Sequence, residues 1–178
     1  MNINTLSKQG RDRIHTGLAG VDSTRLKAMR NKALSECFSR MSDFNYRFET
    51  VARIHDKVFI NDAASRNANA AWYTLESLEG DLIWITNGRI DGDADKLVPA
   101  VSHKVKMILA TNGNAEFLRQ TFGCVVPTIV ECHSLREAVG KAFYNEISNV
   151  KVVFAPAAAS DRPTEVEADE FRSAVHEL

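Results

Sequence analysis

Residues 82–110 read LIWITNGRIDGDADKLVPAVSHKVKMILA: two apolar runs, Leu82–Thr86 and Val105–Ala110, flank a polar loop and a helical stretch at about 95–102. Short continuous apolar runs of this kind suit strands covered on both faces, and a helix between two of them is the crossover that parallel strands need. The texture continues downstream, with a helix at about 114–121, a strand over Val126–Val130, a helix at about 134–146, a strand over Val150–Phe154 and a terminal helix at about 164–177. Upstream, a helix at about 67–78 precedes Leu82. Before it, alternation begins at Tyr46, with Phe48 and Val51 leading to a turn at His55–Lys57 and the apolar run Val58–Ile60, the pattern of a β-hairpin. The pattern predicts an α/β, Rossmann-like fold: a mostly parallel sheet with helices on both faces and an N-terminal β-hairpin. Trp72 and Trp84 are both expected to serve as core packing.

Further upstream, Leu26, Met29, Ala33, Leu34, Cys37, Phe38 and Met41 recur at three- and four-residue spacing behind the capping candidates Asp22, Ser23 and Thr24, which predicts an amphipathic helix. Residues 1–21 hold three glycines and no sustained apolar period, so they read as a loose arm. The expected organisation is an arm and helix over 1–42 and one α/β domain over 43–178.

A length of 178 residues is that of one domain, and 44% hydrophobic with 25% charged residues is the composition of a globular one. The formal net charge of -1 supplies no global positive field, so neither a nucleic-acid nor an acidic-membrane partner is expected. No stretch approaches the roughly 18 apolar residues of a membrane span and the first residues show no secretory signal, so a cytoplasmic location is expected. The three cysteines, Cys37, Cys124 and Cys132, form no C-x-x-C pair and read as buried free thiols. Cys132 and His133 are chain neighbours that face opposite ways on a strand, so no metal site is expected there.

Chemical motifs are sparse. No P-loop string G-x-x-x-x-G-K-[ST] is present, nor a G-x-G-x-x-G dinucleotide turn, nor a G-x-S-x-G elbow. The acidic run Asp91–Asp95 lacks the glycine and glutamate of a calcium loop and reads as a solvated turn. The five histidines are scattered and read as surface or capping residues. In a parallel sheet, ligands gather where loops converge beyond the carboxyl ends of the strands. Those loops are Asn61–Asn67, Asn87–Asp95, Thr111–Asn114, Glu131–Ser134 and Ala155–Arg162.

Four strings on these elements, in order, carry a resemblance: Tyr46-Arg47-Phe48-Glu49, Phe59 through Asn67, Ala155 through Ser160, and Glu170-Phe171-Arg172-Ser173-Ala174-Val175. Over about residues 30–178 they resemble the C-terminal domain of the Mur ligases, most of all the type that adds D-glutamate. The resemblance implies a part in ATP-dependent amide ligation of peptidoglycan precursors for the cell wall, in which this domain helps bind nucleotide and amino acid over a central P-loop domain. It also implies site residues. Arg47, in the place of the family's H-R-x-E arginine, is expected on nucleotide phosphates, with its side chain facing the ligand edge or solvent. Asp62 is expected as the nucleotide-contacting carboxylate, and Asn67, also kept, is expected to cap the next helix. Ser160 is expected on the amino-acid carboxylate. Where the family carries lysines, this chain has Ala64 and the Asn87–Gly92 turn, so Arg66 and Arg89 are the cations expected in their stead.

With scaffold strings kept and lysines lost, the chain reads as a stand-alone or truncated Mur ligase C-terminal domain, not catalytic alone. Three readings stand side by side: a binding module for a nucleotide, phosphate or acidic amino acid; one subunit of a split ligase whose P-loop ATP-binding subunit is another chain; or a module with structural behaviour only. No cofactor is expected for the chain alone, and ATP with magnesium only where a central P-loop domain completes it.

Overall fold

A computed structural model of the chain describes residues 28–33, 46–112 and 115–178. The chain divides into two units, Met1–Arg40 and Met41–Leu178. In the first, residues 28–33 are helical and Met29, expected on the apolar stripe, is exposed. The rest of that predicted helix, the arm over 1–21, Cys37 and His15 lie outside the described residues.

The second unit is built on a six-stranded sheet in the order β1-β2-β6-β3-β4-β5. The strands are β1 (Glu49–Ile54), β2 (Lys57–Asn61), β3 (Leu82–Thr86), β4 (Val105–Ala110), β5 (Thr128–Glu131) and β6 (Val150–Phe154). Between and after them lie α1 (Ala68–Ser77), a 3-10 turn Ala94–Leu97 running into α2 (Val98–Lys104), α3 (Ala115–Phe122), α4 (Leu135–Tyr144) and α5 (Thr164–His176). β1 and β2 form an antiparallel hairpin, and every other pairing in the sheet is parallel. The predicted α/β fold with its entry hairpin is therefore observed.

The strand order explains the two layers. From β3 to β4 to β5 the chain steps outward in one direction, then returns to place β6 between β2 and β3. Crossovers of constant hand put helices on opposite faces when the direction reverses. Accordingly Ala71 and Leu75 of α1, Ala100 and Val101 of α2, and Leu118 and Phe122 of α3 pack with Leu82, Trp84, Ile108 and Val153. On the other face Ala138 and Val139 of α4 and Phe171 and Val175 of α5 pack with Ile83, Ile85, Leu109 and Val152. Consecutive residues of one strand thus enter different cores, which is why the central strands carry no alternation. Full burial of each such large side chain contributes about 1.5–3 kcal/mol.

Three local expectations need correction. Alternation does not begin at Tyr46: Tyr46 and Phe48 take positive φ (70° and 50°) in a turn, and the strand starts at Glu49. β5 begins at Thr128 and not at Val126, because the amides of Val125 and Val126 still bond the Phe122 carbonyl (both 2.9 Å) as the chain leaves α3, and Pro127 has no N–H for a ladder. Both tryptophans pack as expected: Trp84 is fully buried, its Nε1 donating to the Ala155 carbonyl (2.8 Å), and Trp72, partly buried, packs against the same core. Cys132 is a buried thiol as expected, whereas Cys124 is exposed in the turn that follows α3.

Candidate functional site

The site is built from loops that leave the carboxyl ends of β2, β3, β4 and β6. Helix α2 follows β3 to one face and α5 follows β6 to the other, so the β3–β6 crevice is a topological switch point of the sheet. The loops are sewn together by backbone. The Asp62 amide donates to the Phe154 carbonyl (2.9 Å), that of Ala157 to Ser65 (2.7 Å) and that of Asp91 to Ala157 (2.9 Å). Ala157 is buried and sits at φ 62°, a region an alanine enters only when its surroundings dictate it. Asp91, expected in a solvated turn, takes part in the sewing: its Oδ2 accepts from the Ala159 amide (2.7 Å).

The expected site residues fall into four groups, the last of them Arg89 alone. Arg47 and Asp62 form a buried pair, Nε to Oδ1 at 3.2 Å, with side chains 5% and 0% exposed. Asp62 also accepts from Ser65 Oγ (2.5 Å) and from Thr74 Oγ1, while the Arg47 guanidinium lies over the rings of Phe48 and Tyr73 (5.5 and 5.7 Å). Burial pushes the Asp62 carboxyl above its ordinary range, opposed by the charge of Arg47 and by its hydrogen bonds. Neither side chain is presented at the surface. The expectation that Arg47 faces the ligand edge or solvent is corrected: the positive φ of its two neighbours turns it inward onto Asp62.

Asn67 caps α1, its side chain accepting from the Ala70 amide at 2.9 Å. Arg66 and Ser160 form the third group. Arg66 Nη2 donates to Ser160 Oγ (2.6 Å), to the Arg162 carbonyl (2.6 Å) and to Glu167 Oε2 (3.2 Å), and its Nη1 to Thr164 Oγ1 (3.2 Å). Ser160 Oγ in turn donates to Glu167 Oε1 at 2.6 Å. This clamp fastens the loop after β2 to the loop after β6 and to the first turn of α5, and it engages the Ser160 hydroxyl internally.

Arg89 is exposed and donates to the Ala159 carbonyl (3.0 Å). It lines a cleft of about 310 Å³ together with Asn87, Asn112, Ala159, Ser160 and Asp161. A second cleft of about 150 Å³ shares Asn87, Asn112 and Ser160 and reaches Glu167 and His133. Asn87, Asn112 and Glu167 were not singled out by sequence reasoning. The first two were marked only by standing on loops after β3 and β4, and Glu167 only by its place in the first turn of a helix. A further cleft of about 310 Å³, lined by Arg53, His55, Asn149 and Lys151 among others, lies at the opposite edge.

Among the described residues no group of three or more His, Cys, Asp or Glu is placed to hold a metal ion, and no helix is long and apolar enough to cross a membrane. His55, His103, His133 and His176 are exposed.

No family model matches the chain. Among curated proteins, the UDP-N-acetylmuramoylalanine--D-glutamate ligase of Christiangramia forsetii is 32% identical over 161 residues, 90% of this chain and 36% of that protein. The enzymes of the same name from Salinibacter ruber and Bacillus cytotoxicus are 28% and 27% identical over 87% and 100% of this chain, and over 34% and 41% of theirs. The chain thus spans only about a third to two-fifths of the length of these relatives. Among solved structures, a domain from a UDP-N-acetylmuramate:L-alanyl-gamma-D-glutamyl-medo-diaminopimelate ligase of Haemophilus ducreyi superposes with a TM-score of 0.50 at 10% identity, covering 72% of this chain and 99% of that one. A murein peptide ligase of Psychrobacter arcticus gives 0.50 at 13% identity over 79% of this chain and 32% of that one. At these identities the two structures bear on the fold alone.

Proposed function

The chain is related to the Mur ligases over a stretch that answers to their C-terminal domain, and from that premise we propose that it binds a nucleotide or an acidic amino acid at the carboxyl edge of its sheet, as a contributor to ATP-dependent peptidoglycan-precursor ligation. The observation that carries this reading is the cleft at the β3–β6 switch point, where an exposed arginine, Arg89, stands beside two asparagines and a serine. A guanidinium with donors to spare is the natural partner of a carboxylate or phosphate. The buried Arg47–Asp62 pair braces the loop after β2 and supports this edge from below.

On this reading the 178 residues do not catalyse ligation by themselves, since they contain no P-loop lysine and no adjacent Ser/Thr to neutralise a transferring phosphoryl group. A P-loop ATP-binding chain, if it joins this one, supplies ATP and magnesium. The relatives' length, about two and a half times that of this chain, favours such a completed assembly as the setting in which the domain acts. The test is phosphate release from ATP by the purified chain, alone and with a P-loop partner. The account expects none from the chain alone, and steady turnover that survives repeated purification overturns its non-catalytic status. Calorimetry with ADP and D-glutamate tests the binding half, and absence of both interactions at millimolar ligand overturns it.

A further inference from the structure

We propose that the amino edge of the sheet is a protein-docking surface for an acidic, extended segment in which two carboxylates flank an apolar side chain. The surface is the cleft of about 310 Å³ lined by Arg53, His55, Val58, Asn149 and Lys151 among others. Strand register sets its geometry. Arg53 of β1 is opposite Val58 of β2, and Val58 is opposite Lys151 of β6, so the three share one face of the sheet in a single row. At the spacing of neighbouring strands, the Cα atoms of Arg53 and Lys151 stand about 10 Å apart with Val58 between them. Asp56 Oδ2 accepts from the Asn149 amide (3.2 Å), which ties the hairpin turn to the start of β6 and leaves the cleft preformed.

Charge complementarity selects the occupant. Among the described residues the exposed Arg53 guanidinium has no hydrogen-bonding or ionic partner. The Lys151 ammonium gives one donor to the Glu79 carbonyl (2.7 Å) and pairs with no carboxylate. Asp56, the carboxylate that lines the cleft, is engaged by the Asn149 amide. Two cations with donors to spare suit two carboxylates, and Val58, partly buried between them, suits an apolar contact. In an extended segment residues i, i+2 and i+4 point the same way over roughly 13 Å, a span that the long arginine and lysine side chains cover. An acidic-x-apolar-x-acidic segment therefore meets all three at once. The cleft runs on into aromatic surface: His55 stacks on Phe143 (ring centroids 6.1 Å apart), Phe143 meets Tyr144 edge-on (5.0 Å), and Tyr144 is 78% exposed. Tyrosine and arginine are enriched among the anchors of protein interfaces, and a protein segment covers such a surface where a small anion does not. The ligand clefts of the proposed function lie at the other end of the strands, so this assignment does not rest on them.

The test is a titration of the full, nitrogen-15-labelled chain with the acidic peptide acetyl-ESLSE-amide and its neutral counterpart acetyl-QSLSQ-amide. The acidic peptide is expected to shift Arg53, His55, Asn149 and Lys151 saturably and to bind about fivefold more tightly than the neutral one, the size that two exposed ion pairs supply. Raising the salt concentration narrows that gap. Arg53→Glu, made at an exposed position without partners, keeps the fold, removes the preference and transfers it to acetyl-KSLSE-amide, whose ends match the reversed charge. Equal affinity of the wild type for the acidic and neutral peptides, an unaltered preference in Arg53→Glu, or no saturable shift at millimolar peptide overturns the docking role. Saturation of the same residues by free glutamate or inorganic phosphate, with the affinity of the acidic peptide, makes the cleft a small-anion site and overturns it as well. Shifts confined to Asn87, Arg89 and Ser160 overturn it while supporting the reading of the carboxyl edge.

Discussion

Arg47 Nε lies 3.2 Å from Asp62 Oδ1 with both side chains withdrawn from solvent, so the arginine of one conspicuous sequence string and the aspartate of another satisfy each other inside the fold. Removing one member of such a pair strands the other as a buried charge, which typically costs about 3–5 kcal/mol. Arg47→Ala is therefore expected to destabilise the fold by about that amount, and Arg47→Ala with Asp62→Ala to cost less than the sum of the single changes. Urea denaturation of the three variants measures both, and a loss under about 0.5 kcal/mol for Arg47→Ala returns it to the class of exposed arginines.

The same pair has a pH signature. The Asp62 carboxyl titrates above its ordinary value of 3.8, chiefly because burial disfavours its charge. A carboxyl raised in the folded state binds its proton more tightly there than in the unfolded chain, so its contribution to stability falls as pH rises from 3.8 through the raised value. Arg47 opposes that loss. The deficit of Arg47→Ala is thus expected to be largest near pH 7 and smaller near pH 4, and a deficit independent of pH contradicts a charged Asp62.

Glu49 behaves in the opposite sense. Arg172 donates to both of its oxygens, Nε at 2.9 Å and Nη2 at 2.8 Å, and this hydrogen bonding first of all holds the Glu49 carboxyl below its ordinary value of 4.5. Its stabilising contribution is present above pH 4.5 and is lost as pH falls through the lowered value. With Glu49 35% exposed, the contribution is screened to about 1 kcal/mol or less. Acid unfolding curves of wild type and Arg172→Ala are expected to converge at low pH and separate above pH 5.

Arg66→Ala opens the clamp on Ser160 and Glu167. Arg66 remains 23% exposed, so the cost is about 1–2 kcal/mol, below that of the Arg47 pair. The sharper readout is hydrogen exchange: the Ala159 and Arg162 amides are expected to exchange at least tenfold faster in Arg66→Ala, with the Asn67 cap on α1 unaffected. Unchanged exchange in the loop after β6 contradicts the clamp.

Two glycines give opposite expectations. At Gly140, inside α4, an added Cβ meets nothing within 4 Å, so Gly140→Ala is expected to stabilise by about 0.5–1 kcal/mol. At Gly123 an added Cβ collides with the Arg119 carbonyl oxygen, which also accepts the Gly123 amide, and Gly123→Ala is expected to cost about 1–3 kcal/mol. Melting temperatures of the two variants, moving in opposite directions, check both.

The fold was legible because LIWIT is apolar at every position but its last and VKVVF at every position but Lys151, and only a sheet with two covered faces gives all of those apolar side chains a place. The cap Asn67 was legible too, since it acts within three residues of itself, whereas Ser134, which caps α4 in the same way, was marked only as the end of a loop. The edges of that legibility are tertiary. Nothing local tells that Tyr46 and Phe48 take positive φ, so Arg47 turns inward and not toward a ligand. Nor does sequence spacing reveal that Arg66 meets Glu167, which stands 101 residues away. Asn87 illustrates the middle case: its place at the end of β3 marked the right loop, but the hydrogen bond that seats its side chain, to the Ala158 carbonyl, spans 71 residues.

The central claim is that the carboxyl edge of the sheet is the ligand-binding edge. Chemical-shift mapping of the nitrogen-15-labelled chain with D-glutamate, and separately with ADP, tests it most directly. The account predicts saturable shifts confined to Asn87, Gly88, Arg89, Asn112 and Ser160 and their neighbours. Shifts centred instead on Arg53, His55 and Lys151, around the cleft at the opposite edge, would contradict it.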